Sequence, residues 1–585
     1  MGKDHFNKKK PNFLILMVDE ERYPSVYETP KLKEWREKNL IAQELIKDNG
    51  FQFLNHYIGS TACSPSRTTL YTGQYPSLHG VTQTSGAAKG SFDPDMFWLD
   101  HSTVPTMGDY FRTAGYRTFW KGKWHASDED IIIPGTTNPY LSYNNLGVPV
   151  SEKVEVYRDA DRLEEYGFCG WIGPEPHGPA ARNSGSSAAF GVSGRDVVYA
   201  TETVELIQEL ENEAHSGNSS PWLVMCSFVN PHDIALYGAF AKISPTFNFE
   251  VDPSVPYIPK APTAEESLET KPRAQRSYRE VYPKAFQPLR DTLFYRQLYY
   301  SLQKKVDQEM LKVFEALKTS SFYEDTIVIF LSDHGDMLGA HGGLFQKWYN
   351  TYEESIHVPF IMHNPKLFSG RESTTMLTSH VDVLPTMLGL AGIDVKDAQK
   401  ELAQNHTEVR PLVGRNLAPL LKGRTDFFRA NEPLYFMSDD DVTKGPNQFT
   451  VTGQPYHSVV QPNHTEAIIT TLPTGENRKK ETWKLTRYFD NPKFWTNPGV
   501  SDVTTTEGAA INTNDHVSVA ISVTTTKTSP VPEEYEMYNL SIDPMEERNL
   551  IFPEYSTSET EEIQRVLTAA LAEQRKQKRL EPEGD

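Results

Sequence analysis

Cysteine is scarce in this sequence, and long hydrophobic runs are absent near its start. Only three cysteines occur in 585 residues, at Cys63, Cys169 and Cys226. They are too few for a disulfide framework and too scattered for a zinc cluster. The apolar run at residues 13–18 is too short to cross a bilayer and ends in carboxylates, so it does not read as a signal peptide. We therefore expect a cytoplasmic protein with no membrane partner.

Positive charge is also in deficit. The chain has 58 Lys and Arg against 78 Asp and Glu, a formal net charge of −20. This balance argues against nucleic acid and anionic membranes as partners. An anionic substrate would need a local cationic pocket or a metal ion to offset the field of the whole protein.

The stretch TACSPSRTTLYTG, at residues 61–73, combines one of the rare cysteines with helix signals. Pro65 suits the first turn of a helix, and Gly73 suits its C-terminal end. Cys63 would then lie where helix amides can hold an anion. Arg67, one turn later, would add a bidentate cation. The alternative interpretation is a buried structural cysteine in front of a helix.

The order Cys63-Ser-Pro-Ser-Arg67, followed by Leu70 and Thr72-Gly73, resembles the signature of the type I sulfatases. In that family a formylglycine-generating enzyme oxidises the cysteine to Cα-formylglycine, also called 3-oxoalanine. The resemblance implies an alkaline-phosphatase-like α/β fold, in which a large, mixed, mostly parallel sheet is flanked by helices. It also implies that residue 63 attacks the substrate and forms a covalent sulfo-enzyme intermediate.

Four short apolar runs predict buried strands with polar residues at their carboxyl ends. They cover residues 13–18, 115–120, 221–229 and 326–331. In a mostly parallel sheet these ends face one edge, so we expect the polar residues beyond them to share a pocket. Those residues are Asp19, Glu20, Lys123, His125, His232, Asp333 and His334.

The resemblance assigns a metal site to Asp19, Glu20, Asp333 and His334, with Cys63 completing it. Carboxylate oxygens favour a hard cation, so we expect Ca²⁺, with Mn²⁺ or Mg²⁺ as alternatives. Glu20 departs from the family pattern, which usually has Asp or Gln there. A solvated acid at the end of a strand is the alternative for Glu20.

The family signatures also imply roles in catalysis. Lys-Gly-Lys-Trp-His, which ends at His125, resembles the second sulfatase signature. By this resemblance His125 is the base that expels sulfate, while Lys123 and Arg67 hold the formylglycine and sulfate oxygens. His232 and Lys347 would serve the oxygen of the leaving group. A loop-capping histidine is the alternative for His232.

The expected reaction is hydrolysis of a small-molecule sulfate monoester, aryl or small alkyl. The Asp333-His334 pair also occurs in branches of the superfamily that resemble choline-sulfatase and phosphonate monoester hydrolase. Hydrolysis of phosphonate monoesters or phosphodiesters is therefore the nearest alternative. A catalytically inactive binding homologue is a remote one, because the set of ionisable residues is complete. The sequence leaves the oligomeric state open, and a homo-oligomer is one alternative.

The pattern of apolar and polar residues changes near residue 428. This change predicts two domains, a catalytic one at 1–427 and a smaller α+β one at 428–585. Short strands of an antiparallel sheet, followed by a helix at about 558–579, are expected in the second. The strands are predicted at residues 434–437, 467–470, 483–485 and 517–523.

Three further stretches carry weaker signals. Residues 126–195 and 237–291 lack clear periodicity and are predicted to be long loops that rim the site. Asp439, Asp440 and Asp441 are predicted to form an exposed acidic turn. The alternative is that these three acids reach the site or bind a cationic group of the substrate.

Overall fold

Two large β-sheets organise the chain, one on either side of residues 424–431. The computed structural model describes residues 10–86, 89–93, 96–176, 181–217, 220–243, 247–423, 432–442, 447–450, 453–491, 504–513, 516–525 and 530–583. The predicted domain boundary at 427/428 lies outside these residues. Within them, no helix combines the length and the apolar character that a membrane span requires.

The strands, in chain order, are β1 (Asn12–Asp19), β2 (Gly50–Tyr57), β3 (Arg117–Gly122), β4 (Trp222–Pro231), β5 (Thr326–Ser332), β6 (Phe360–His363), β7 (Glu372–Ser379), β8 (Leu434–Ser438), β9 (Asn447–Phe449), β10 (Pro455–His457), β11 (His464–Leu472), β12 (Glu481–Phe489), β13 (Thr504–Thr513), β14 (His516–Thr525) and β15 (Glu534–Asn539).

The α-helices are α1 (Pro30–Asn39), α2 (Ile41–Asp48), α3 (Cys63–Thr72), α4 (Pro76–His79), α5 (Met107–Thr113), α6 (Ser151–Ala160), α7 (Arg195–His215), α8 (Ala239–Ile243), α9 (Arg273–Ala285), α10 (Leu293–Thr319), α11 (Ala340–Gly343), α12 (Glu353–Ile356), α13 (Val383–Ala391), α14 (Val395–Leu402), α15 (Ala418–Leu421) and α16 (Ser558–Lys578). Short 3₁₀ helices cover Glu164–Tyr166, Ala181–Asn183, His232–Leu236, Pro262–Glu265, Tyr323–Asp325, His380–Asp382 and Glu476–Arg478.

The first sheet has seven strands in the order β3-β4-β1-β5-β6-β2-β7. The β3–β4, β4–β1, β1–β5 and β2–β7 pairs are parallel. The β5–β6 and β6–β2 pairs are antiparallel. The predicted mixed, mostly parallel sheet is therefore confirmed. The four strands predicted from apolar runs form one continuous block, β3-β4-β1-β5.

Burial on both faces explains why β1 is continuously apolar. Phe13, Ile15 and Met17 join the core cluster on one face of the sheet, and Leu14 and Leu16 join the cluster on the other. Alternate side chains of a strand point to opposite faces, so each face needs its own apolar set. Helices α7 and α10 cover the second face.

The second large sheet is antiparallel, in the order β15-β12-β11-β8. Helix α16 packs Ile563, Leu567 and Leu571 against it. The predicted small α+β unit with a terminal helix is confirmed in these elements. The predicted strand at 517–523 falls in β14, which pairs with β13 in a separate two-stranded sheet.

Two stretches predicted to be irregular contain helices. Helix α6 lies within residues 126–195, and α9 lies within 237–291. Helix α9 buries Ala274, Tyr278 and Val281 at spacings of three and four residues. That signal was present in the sequence, but a proline-rich neighbourhood and Pro283 inside the helix obscured it.

Candidate active site

Helix α3 begins at Cys63, directly after the N-cap residue Ala62, and ends before Gly73 in a left-handed conformation (φ 64°). The helix predicted from Pro65 and Gly73 is confirmed. Cys63 is 2% exposed, and its Sγ lies 3.1 Å from Nε2 of His334. Burial raises the pKa of the Cys63 thiol above its ordinary value. The cysteine thus faces a buried polar cluster.

That cluster lies at the carboxyl ends of β1 and β5, which are neighbours in parallel register. Asp19, Cys63, Asp333 and His334 each offer a ligand atom, and these atoms all lie within 4.8 Å of one another. Asp19 also forms a second group, of three residues, with Glu20 and His232. The structure therefore brings together all five residues predicted to hold a metal ion.

Several carboxylate oxygens of this cluster have no hydrogen-bond partner among the described residues. They are Oδ1 of Asp19 and both side-chain oxygens of Glu20. Burial raises the pKa of Glu20 well above its ordinary value, despite the nearby Lys347 ammonium. Glu20 also has a left-handed backbone (φ 72°), which is uncommon outside glycine. Unsatisfied buried carboxylate oxygens are costly, and a divalent cation would satisfy them.

Two buried cations bind the same carboxylates. The Arg67 guanidinium donates to Asp333 Oδ2 at 2.8 Å and to Asp19 Oδ2 at 2.9 Å. The Lys123 ammonium donates to Asp19 Oδ2 at 2.6 Å. Burial alone would raise the pKa of Asp19, but Lys123, His232 and Arg67 hold it well below its ordinary value. Arg67 and Lys123 therefore orient the two aspartates and keep Asp19 ionised.

Lys347 is a third buried cation, 3.4 Å from Oε2 of Glu20. Its Nζ makes no hydrogen bond within the described part of the chain. Burial alone would lower the pKa of Lys347, but the surrounding groups Cys63, Glu20 and Asp19 raise it. A charged ammonium without a hydrogen-bond acceptor, beside the cysteine, can take an oxygen of a bound anion.

The two histidines predicted to act in catalysis have different neighbours. Nε2 of His125 is 2.9 Å from Oγ of Ser85. Nε2 of His232 is 3.8 Å from Oε2 of Glu20, and the His232 side chain is partly exposed. Burial and the nearby Lys123 ammonium lower the pKa of His232 well below its ordinary value. His232 is therefore neutral at physiological pH.

A comparison with known protein families decides what this site belongs to. The sequence profile of the Sulfatase family matches residues 11–393. That range contains the seven-stranded sheet and every residue of the cluster. The chain belongs to the sulfatase family. This sulfatase is thus a sulfuric ester hydrolase.

Curated relatives and solved structures agree with the assignment. The sulfatase is 27% identical to "Uncharacterized sulfatase YidJ" of Escherichia coli, over 66% of this chain and 69% of that protein. It is 26% identical to the choline-sulfatase of Rhizobium meliloti, over 71% and 72% of the two chains. The solved phosphonate monoester hydrolase of Silicibacter pomeroyi has a TM-score of 0.56 and 17% identity, with 97% and 96% of the chains covered. That last likeness shows the shared fold alone.

Sequence reasoning missed two acids that support the site of this sulfatase. Oε1 of Glu175 accepts hydrogen bonds from the backbone N–H groups of Trp124 and His125, at 2.9 and 2.8 Å. Asp336 accepts from the backbone N–H of Leu338 at 2.6 Å and lies close enough to Glu20 to raise its pKa. The position of Asp336, three residues after Asp333, was a usable signal. Glu175 lies in a stretch without periodicity and gave none.

The prediction of an exposed acidic turn at residues 439–441 is wrong. Asp439 and Asp440 are each only 4% exposed. Asp439 is 2.8 Å from Nδ1 of His464, and Asp440 accepts from the backbone N–H of Ala62 at 2.9 Å. Asp441 accepts from the Tyr349 hydroxyl at 2.7 Å. Donors from distant parts of the chain make the burial of Asp439 and Asp440 possible.

Glu175 gives this sulfatase a testable pH dependence, because burial raises its pKa from 4.5 to about 7. The folded protein therefore keeps a proton that the unfolded chain releases, and stability falls as pH rises through that window. Glu175→Gln cannot ionise. We expect the melting temperature of the variant, relative to that of the wild type, to rise between pH 4.5 and 7 and to stay constant above pH 7. The pKa shift of Glu175 corresponds to at most about 3 kcal/mol of unfolding free energy.

Asp307→Asn is the matched control for this experiment. Burial likewise raises the pKa of Asp307 to about 7, and its carboxylate accepts the backbone N–H groups of Ala42 and Gln43. We expect both variants to show the same trend in thermal stability, but only Glu175→Gln to change the pH profile of kcat. A melting-temperature difference that does not vary with pH would contradict the prediction.

Proposed function

We propose that this sulfatase hydrolyses sulfate monoesters of small alcohols, aryl or alkyl, at a formylglycine made from Cys63. The observation that carries the proposal is the surroundings of Cys63. Its buried sulfur is grouped with ligand atoms of Asp19, Asp333 and His334, and an arginine and a lysine are paired with the same carboxylates. The site thus gathers buried cations in a protein of net charge −20, and a divalent cation held there would add the positive charge that an anionic ester requires.

The donor set supports one divalent metal ion, held by Asp19, Glu20, Asp333 and His334 together with residue 63. Oxygen-rich sets of this kind suit Ca²⁺, which we propose first, and also Mn²⁺ or Mg²⁺. The carboxylate oxygens without hydrogen-bond partners in the described region are the evidence for the fit. When bound, such an ion would offset the carboxylate charges and polarise the sulfate group.

An unmodified thiol at residue 63 would be a poor nucleophile for repeated catalytic cycles. A stable cysteinyl product would be hard to cleave, and the raised pKa of Cys63 disfavours the thiolate. The hydrated aldehyde of formylglycine would instead supply one hydroxyl that attacks sulfur and a second whose deprotonation expels the sulfate. The ester would then be cleaved in two steps, through a covalently sulfated enzyme. A formylglycine-generating enzyme is the implied partner in maturation.

The remaining residues of the site would transfer protons and stabilise negative charge. His125 would accept the proton whose loss from residue 63 releases sulfate. Lys347 keeps its charge because its pKa is raised, so it would stabilise the departing alcohol oxygen. His232 is neutral because its pKa is lowered, and it would donate a hydrogen bond to the same oxygen. Lys123 and Arg67 would hold the anionic groups at residue 63.

The substrate class has two candidates. Similarity to the Rhizobium choline-sulfatase supports a small alkyl sulfate. The Asp333-His334 pair, which resembles that of the phosphonate monoester hydrolase branch, keeps phosphonate monoesters and phosphodiesters as the second candidate. The two classes differ in the charge and geometry of the reacting group, so a direct comparison of turnover separates them.

We expect protein from its native host to contain formylglycine at residue 63. Mass spectrometry of the peptide across this position should show the loss of mass that accompanies conversion of a thiol to an aldehyde. In the same preparation, kcat/KM for 4-nitrophenyl sulfate should exceed that for the phenylphosphonate and the phosphodiester of the same alcohol by about 100-fold or more.

The outcomes that would contradict the proposed function can be told apart. Unmodified cysteine in fully active enzyme would refute the formylglycine, whereas faster turnover of the phosphonate would select the second candidate. An absence of turnover with all three classes and with a small alkyl sulfate, in converted protein supplied with metal, would indicate a catalytically inactive binding homologue. A Cys63→Ala preparation made in parallel measures the background from contaminating hydrolases.

A further inference from the structure

Asp440 is a buried acid that the proposed chemistry does not use. It follows β8, the edge strand of the antiparallel sheet, and is 4% exposed. Its Oδ2 accepts from the backbone N–H of Ala62 at 2.9 Å and from Oγ1 of Thr84 at 2.6 Å. Its Oδ1 accepts from the backbone N–H of Thr84 at 3.2 Å. One carboxylate therefore joins two loops that are separated in sequence from it and from each other.

The first of these loops leads directly into residue 63. Ala62 is the N-cap residue of α3, and its methyl side chain cannot accept a hydrogen bond. Asp440 supplies a charged acceptor there from another part of the chain. Ser438 adds a second tie, because its Oγ donates to the carbonyl of Thr61 at 2.8 Å. The start of the nucleophile helix is thus fixed from the antiparallel sheet.

The second loop contacts His125 through Ser85. Thr84 precedes Ser85, whose Oγ is 2.9 Å from Nε2 of His125. Gln83 strengthens this side, because it donates to the carbonyl of Asp439 at 2.9 Å and accepts from the backbone N–H of Asp441 at 3.1 Å. The segment around Asp440 therefore holds the loop that carries a hydrogen-bond partner of the proposed base.

We propose that Asp440 is a positioning residue that sets the relative placement of residue 63 and His125. The inference rests on the proposed function, because it takes residue 63 as the nucleophile and His125 as the base. Hydrogen bonds to a charged group are stronger than those between neutral groups, so three of them hold the two loops firmly. A displacement of about 1 Å between reacting groups can lower a rate about 100-fold.

The test is Asp440→Asn, with Asp439→Asn as the matched control. The amide can accept through one oxygen only, so either Ala62 or Thr84 loses its acceptor. Asp439 lies in the same segment, is equally buried, and instead faces His464 and Asn491. We expect Asp440→Asn to lower kcat about 10- to 100-fold with KM little changed. Asp439→Asn should keep the wild-type kcat.

Amide hydrogen exchange gives a readout that does not depend on turnover. In Asp440→Asn, at least one of the peptides that cover residues 58–66 and 82–86 should exchange faster than in the wild type, and in Asp439→Asn neither should. Thr84→Val removes only the hydroxyl donor and should shift kcat and exchange in the same direction by a smaller amount. This second variant keeps the test decisive if Asp440→Asn folds poorly.

The outcomes separate this inference from the proposed function. Unchanged exchange in both peptides, or a wild-type kcat in both Asp440→Asn and Thr84→Val, would overturn the positioning role. Exchange can be measured on protein that still has an unmodified Cys63. Failure of the wild-type protein to hydrolyse any sulfate ester would instead count against the proposed function and leave the exchange result standing.

Discussion

Replacing Cys63 with alanine is expected to lower kcat about 10⁴-fold or more, since loss of an enzyme's nucleophile has effects of that size. Alanine cannot be converted to formylglycine, and its methyl group offers no attacking atom. The metal ligands and the three buried cations would remain, so a small residual rate is expected from charge stabilisation alone. The measurement is kcat for 4-nitrophenyl sulfate on metal-saturated protein.

Cys226→Ala is the control for that variant. Cys226 is fully buried in β4 and Cys63 is 2% exposed, so each substitution truncates one small buried side chain. We expect a similar loss of stability, about 1–2 kcal/mol, but wild-type kcat for Cys226→Ala. A Cys63→Ala enzyme that kept a tenth or more of its activity would show that residue 63 is not the nucleophile.

The parallel half of the fold could be predicted because its strands are buried on both faces. Such strands are continuous apolar runs, and β1, β4 and β5 stand out for that reason. Strand β7 is threonine-rich and half exposed along most of its length. Its pattern resembles that of a polar loop, and pairing with β2 rather than local propensity makes it a strand.

Some residues of the site could also be predicted from the sequence, and others could not. Asp19, Asp333 and His334 are predictable because they directly follow recognisable strands, and parallel strands end at one edge of a sheet. Asp440 is different, since it lies 378 residues from the Ala62 amide that it binds. No local pattern distinguishes an acid that receives buried donors from one that faces water. Such supporting residues become visible only when the loops are placed in three dimensions.

Asp19→Asn is the second substitution with a very large expected effect. Asp19 belongs to both groups of possible metal ligands at this site, and its Oδ2 accepts from Lys123 and Arg67. Loss of this charge would weaken the metal site and leave two buried cations short of a counter-charge. We expect kcat to fall about 10³-fold or more.

A thermal-shift titration separates loss of the metal from general damage. Ca²⁺ added to chelator-treated wild type should raise the melting temperature, because a ligand that binds only the folded state stabilises it. The same titration should leave Asp19→Asn unmoved. Asp307→Asn, which removes a buried carboxylate on α10, should respond as the wild type does. If Asp19→Asn kept both its metal response and its kcat, the unsatisfied oxygen of Asp19 would not be a metal ligand. The cation would then have to be held by Glu20, Asp333, His334 and residue 63 without Asp19.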